Sequence, residues 1–271
     1  MVRKEDDTTK VHLSEISSIV LQTNQVYISA YLLSELAKEK ISFVVADEKC
    51  SPIGHYLPLY GSHNTSKRIA EQLEWGEPIK KRVWQRVVRD KIAHQGMILN
   101  ARAREAEGEV LLGLVPEVRS GDTTNREASA ARIYFQALFG PGFSRDDDTP
   151  VNAALNYGYS ILLSAVSREI VSRGYLTQCG ICHRNEYNQF NLSCDLMEPF
   201  RPIVDRLVFD NIDDSFEKED RYLLVDMLNQ SVSYRGGMYR IGSVIGLYVQ
   251  DCFSALNKKL SIDEIEPFDV L

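Results

Sequence analysis

The chain has 271 residues, of which 44% are apolar, enough for more than one hydrophobic core, and its 31 basic and 38 acidic side chains leave a formal charge of −7. That balance excludes a surface that is basic throughout, so any contact with nucleic acid or an anionic membrane must be local. No apolar run nears the roughly 20 residues that a membrane-spanning helix needs, Met1–Lys10 carries no export signal, and five cysteines (Cys50, Cys179, Cys182, Cys194, Cys252) point to reduced thiols in the cytoplasm rather than a disulfide framework.

Short apolar and β-branched runs at Lys10–Leu13, Ser18–Thr23 and Ile41–Ala46 read as strands. Between them Val26, Ile28, Tyr31, Leu32 and Leu36 recur at near-helical spacing, which predicts one helix over Gln25–Lys40. Trp75-Gly76-Glu77-Pro78 interrupts the pattern and marks a boundary. Beyond it the pattern turns helical: Ile79–Arg104, weakened at Gly96, Thr124–Phe139, and a third helix with Thr149 as its cap, Pro150 in its first turn and Gly174 at its end. Further helices are expected at Met197–Phe209, Ser215–Gln230 and Gly242–Lys259, with a hairpin over Ser231–Ile241 turning at Gly236-Gly237. The expected class is α+β: a small N-terminal β-rich domain, residues 1–75, and a larger, mainly α-helical domain, residues 76–271.

Three stretches carry candidate chemistry: Asn125-Arg126-Glu127-Ala128, Gly180-Ile181-Cys182-His183, and Asp195-Leu196-Met197-Glu198-Pro199-Phe200-Arg201-Pro202. Two carboxylates and one imidazole around a divalent ion leave room for water and phosphate oxygens. Each stretch also has a simpler reading. Thr124-x-x-Glu127 matches a helix-capping box, Asp195-x-x-Glu198 a looser version of one, and His183 a hydrogen-bonded loop residue. Cys179-Gly180-Ile181-Cys182-His183 also fits a haem-attachment pattern, and with Cys194 an incomplete zinc site. Otherwise the three thiols are small buried groups.

Asn-Arg-Glu-Ala, Leu155-Asn156-Tyr157-Gly158-Tyr159, Gly-Ile-x-His and Asp-Leu-Met-Glu-Pro-Phe-Arg-Pro, in that order, resemble CRISPR-associated protein one, the adaptation integrase, in its type II form. Tyr31–Leu36 and Leu57–Asn64 add to the match, which runs from about Leu13 to Phe253. The resemblance implies that Glu127, His183 and Glu198 hold Mg2+ or Mn2+, with Asp195 a neighbouring catalytic acid. It implies insertion of short DNA fragments into a repeat array by phosphodiester transfer, and endonuclease activity when water is the nucleophile. The partners it implies are double-stranded DNA and CRISPR-associated protein two, with a homodimer inside a larger hetero-oligomer and no membrane.

The segment Ile79–Arg104 holds eight basic residues against Asp90 alone, a local charge of +7. Lys80, Lys81, Arg82, Arg86, Arg89 and Lys91 are therefore the candidate DNA-binding residues, against a basic helix face paired with acids elsewhere. Two other functions stay in view. One is a metal-dependent DNA repair nuclease, and the other a non-catalytic zinc-containing DNA-binding protein.

Overall fold

A computed structural model describes residues 2–4, 7–16, 18–21, 25–46, 52–59 and 62–271. The chain opens with an antiparallel pair, β1 (Val2–Lys4) and β2 (Asp7–Thr9). A three-stranded sheet of β3 (Ser18–Leu21), β4 (Ser42–Ala46) and β5 (Pro52–Tyr56) follows. β3 and β4 run parallel, which requires a crossover, and α1 (Ala30–Lys38) provides it. Its helix starts later than the apolar spacing predicts, because Ser29 accepts from Leu32 N at 3.1 Å and so ends the extended segment before it.

The strand expected over Lys10–Leu13 is absent. Leu13–Glu15 forms a single 3-10 turn, capped by the His12 side chain, so this run has no partner strand. Thr23, Cys50, Tyr60 and Gly61 lie outside the described residues. Leu36, Ile41 and Phe43 form a small core here, and Tyr56 stacks on Phe43 at 4.7 Å while donating to Leu33 O at 2.9 Å.

The rest of the chain is helical: α2 (Thr65–Leu73), α3 (Glu77–Ala101), α4 (Glu105–Leu114), α5 (Arg126–Phe139), α6 (Pro150–Ser172), α7 (Asn191–Met197), α8 (Arg201–Asn211), α9 (Lys218–Asp226) and α10 (Ile241–Leu256). The hairpin of β6 (Ser231–Tyr234) and β7 (Gly237–Arg240) lies between the last two and turns at Arg235-Gly236. The class is thus α+β, with few N-terminal strands and a larger helical part. Among the described residues no helix is long and apolar enough to cross a membrane.

Where the sequence breaks at Gly76 and Pro78, α3 begins, since proline in the first turn costs no hydrogen bond. α3 is the axis of the main core. Val83, Val87, Val88, Ile92, Ile98 and Leu99 are buried on it and pack among Leu155, Leu162 and Val166 of α6 and Val244 and Val249 of α10. Gly96 does not interrupt α3, because a Cβ there would stand 2.9 Å from Leu112 Cγ and 3.1 Å from Gly108 O; the glycine lets α4 cross closely.

Polar contacts fix the direction of α3. Arg86 Nε donates to both Asp90 oxygens at 2.9 Å, and Tyr248 of α10 donates to Asp90 Oδ2 at 2.8 Å. Burial pushes the Asp90 carboxyl up, against the pull of Arg86. His94 Nδ1 donates to Pro199 O at 2.8 Å, which ties α3 to the turn carrying Glu198. Burial lowers the His94 imidazole.

Candidate active site

Glu127 sits in the first turn of α5, and the residues before it explain its position. Gly121, Asp122 and Asn125 all have positive φ, a run of left-handed backbone that folds Asp122 back over the helix start. Its carboxylate accepts from Arg126 N at 2.9 Å and Glu127 N at 3.0 Å. Asp122, rather than Thr124, therefore satisfies the free N–H groups of α5, and the expected Thr124-x-x-Glu127 capping box does not form.

The helix expected over Met197–Phe209 is broken. α7 ends at Met197, Glu198–Phe200 makes a 3-10 turn, and α8 restarts at Arg201, because Pro199 and Pro202 cannot donate to a continuous ladder. The break turns Glu198 inward, where it is 4% exposed. Asp195 is buried within α7 and caps nothing in its own helix. It accepts instead from the backbone N–H of Ile181 (2.6 Å), Cys182 (3.1 Å) and His183 (3.1 Å), and from His183 Nδ1 at 2.6 Å. The loop from Gly180 wraps this carboxylate so tightly that a Cβ on Gly180 would lie 2.4 Å from His183 O and 2.8 Å from Asp195 Oδ2.

The two glutamates meet at Lys91 of α3. Its Nζ donates to Glu127 Oε1 at 2.7 Å and stands 2.5 Å from Glu198 Oε2. The second contact is a close, buried ion pair. Arg201 Nη1 donates to Glu198 Oε1 at 2.7 Å while its guanidinium lies 4.1 Å over the Tyr159 ring. Burial pushes Glu198 up, but Lys91 and Arg201 outweigh it and hold the carboxyl at about 2. For Lys91, burial pulls down, and the two glutamates outweigh that to hold it above its ordinary value. His183 is raised by its hydrogen bond to Asp195, and it feels both glutamates. Trp84, on the Lys91 helix, meets the imidazole edge-on at 5.7 Å.

Two carboxylates and an imidazole oriented by a further acid make a donor set whose chemistry suits Mg2+ or Mn2+. Among the described residues no three His, Cys, Asp or Glu side chains surround one point closely enough to hold an ion, and Lys91 Nζ stands between the carboxylates. Cys179, Cys182 and Cys194 are free thiols. None of the three is the small buried group expected, and Cys182 is exposed; partial desolvation and the nearby Asp195 push its thiol up to about 12, while Cys194 Sγ accepts from Asn188 Nδ2 at 3.5 Å.

The family model for CRISPR associated protein Cas1 matches residues 1–226. The chain belongs to the Cas1 family. It is 41% identical over 208 residues to the CRISPR-associated endonuclease Cas1 of Neisseria meningitidis serogroup C, a match covering 77% of this chain and 68% of that one. Its fold is that of a casposase bound to integration product, with a TM-score of 0.77, 20% identity, and coverage of 94% of this chain and 83% of the casposase. A chain of a Cas6-RT-Cas1–Cas2 complex superposes with a TM-score of 0.74 at 21% identity, over 98% of this chain and 34% of the larger one.

In this Cas1 chain the basic residues of α3 divide into two groups. Lys81 and Arg82 are exposed, and Lys80 stands 3.6 Å from Glu77. The others turn inward: Arg86 is bound to Asp90, Arg89 Nη2 donates to Val118 O at 3.1 Å, and Lys91 lies between Glu127 and Glu198. The basic face expected along the helix is therefore confined to its N-terminal end, because the middle of α3 is buried all round and its cations need internal partners. Sequence reasoning missed Asp122 and the inward role of Lys91; Arg201, beside Glu198 in sequence, is the salt-bridge partner that its position allows. Only Asp122 had a local signal, as an acid just before a helix start.

Proposed function

We propose that this chain is a divalent-metal-dependent DNA integrase of CRISPR adaptation, inserting short duplex fragments into a repeat array by phosphodiester transfer, with endonuclease activity when water replaces the attacking hydroxyl. The meeting of Glu127 and Glu198 at the Lys91 ammonium, with His183 near enough to feel both carboxylates, carries this reading. Likeness to a protein named an endonuclease and to a casposase caught with its integration product supports the reaction class.

In this reading Glu127, His183 and Glu198 are the metal ligands. Bound Mg2+ or Mn2+ supplies Lewis-acid polarisation of the attacked phosphate. Asp195 holds His183 by Nδ1, so the tautomer that presents the Nε2 lone pair is favoured. Arg201 keeps Glu198 ionised and fixed in direction. The 3′ oxygen of the fragment forms a new P–O bond as one P–O bond of the target breaks; the attacking hydroxyl gives up its proton and the departing 3′ oxygen gains one, so no external energy is required.

We assign catalysis to residues 76–271 and DNA contact to Lys80, Lys81 and Arg82. The likeness to a Cas1–Cas2 assembly supports partnership with Cas2, and a homodimer of this chain inside the larger complex is part of the same proposal. Free thiols at Cys179, Cys182, Cys194 and Cys252 accord with the cytoplasm. Glu127→Ala and His183→Ala are expected to abolish Mg2+- or Mn2+-dependent joining of a short duplex into repeat DNA while circular dichroism and melting stay near wild type. Full joining by both variants would remove the assignment.

A further inference from the structure

The least expected feature of the site is a buried lysine where the glutamates meet. Lys91 is 8% exposed, and its ammonium lies within 2.7 Å of one carboxylate and 2.5 Å of the other. Glu127 and Glu198 belong to different helical segments, and in this arrangement the link between them is that ammonium. With Arg201 on the outer oxygen of Glu198, the charges of the four side chains cancel. These four side chains thus already balance one another, and a divalent ion held by the same two carboxylates would meet a resident positive charge.

We propose that Lys91 is the counter-cation that holds the Glu127–Glu198 pair together without metal, and that a divalent ion must displace it, so that Lys91 sets how weakly the site holds Mg2+ or Mn2+. An ion held by Glu127 and Glu198 would share its carboxylates with the Lys91 ammonium, and two positive charges on the same carboxylates repel in a water-poor setting. Displacement would be a movement of the ammonium on its flexible four-carbon stem. This rests on the metal-dependent reading above. It makes Lys91 a positioning residue: its presence keeps the carboxylates folded inward between turnovers and keeps the ion exchangeable.

A purely structural role makes the opposite forecast, because loss of a strut loosens the ligands and weakens binding. The test is calorimetric titration of Mn2+ into the full chain, without DNA, for wild type, Lys91→Met and Glu127→Gln. Removing a competing charge worth about 1.4 kcal/mol changes affinity tenfold, so Lys91→Met is expected to bind Mn2+ at least roughly tenfold more tightly. It is also expected to melt lower than wild type in metal-free buffer and to gain more from saturating Mn2+. Should Lys91→Met not fold, Lys91→Gln carries the same forecast. Equal or weaker Mn2+ binding in the folded Lys91 variant, with Glu127→Gln abolishing binding, overturns the proposal and leaves the metal reading standing. Absence of Mn2+ binding in wild type and Lys91 variant alike overturns both.

Discussion

Asp195 receives four hydrogen bonds from three consecutive residues, and that cluster fixes His183 more firmly than the imidazole could fix itself. Asp195→Asn replaces one acceptor oxygen with a donor, so at least one N–H of the loop faces another N–H in a dry setting. The variant is expected to lose about 1–3 kcal/mol of stability and to slow strand joining about 10- to 100-fold, read by urea unfolding and by a joining assay. Unchanged joining in a destabilised protein would show that the loop serves only the fold. The acid was visible in the sequence as one of a pair, Asp195 and Glu198, but its role was not. Its partners lie 12 to 14 residues back along the chain, in a loop without periodicity. Lys91 was harder still, since it pairs with Glu127 36 positions on and with Glu198 beyond that, and its neighbours in sequence mark it as one more cation of a basic helix.

Among the elements, those with local signals were legible. α6 starts and ends where Thr149, Pro150 and Gly174 say it should, with Thr149 Oγ1 accepting from Asn152 N at 3.2 Å and Gly174 at φ 83°. α4 was not read, because Gly108 and Gly113 break its pattern and its buried positions depend on long-range packing, chiefly against α3. The same contact decides the outcome of a substitution. On helix propensity alone Gly96→Ala is favourable by about 1 kcal/mol. The Cβ would press on Leu112 and on the backbone of Gly108 in a crossing with no slack, and overpacking costs about 1–3 kcal/mol. The variant is therefore expected to be no more stable than wild type, and by up to about 2 kcal/mol less so. A higher denaturant midpoint would show that the crossing relaxes at little cost.

For the molecule as a whole, the pH dependence of stability contains an inverted component. Burial raises Asp205 to about 6 from its ordinary 3.8, although the hydroxyl of Tyr159 donates to it and Arg201 is near. Between pH 3.8 and about 6 the folded chain holds this proton while the unfolded chain releases it, so the contribution of Asp205 to stability falls as pH rises through that window. Asp205→Asn stays neutral and keeps the Tyr159 contact. Its melting temperature is expected to gain on that of wild type between pH 4 and pH 7, measured in matched ionic strength. Parallel curves for the two proteins would mean that Asp205 titrates unperturbed.

The uninterrupted course of α3 has a metric consequence. Lys81 and Lys91 are ten residues apart on one rigid rod, about 15 Å at the rise of an α-helix. That separation equals roughly four base-pair steps of duplex along its axis, so the exposed end of the rod and the carboxylate pair cannot grip the same phosphate. A duplex touching both would have a fixed number of nucleotides counted off between them.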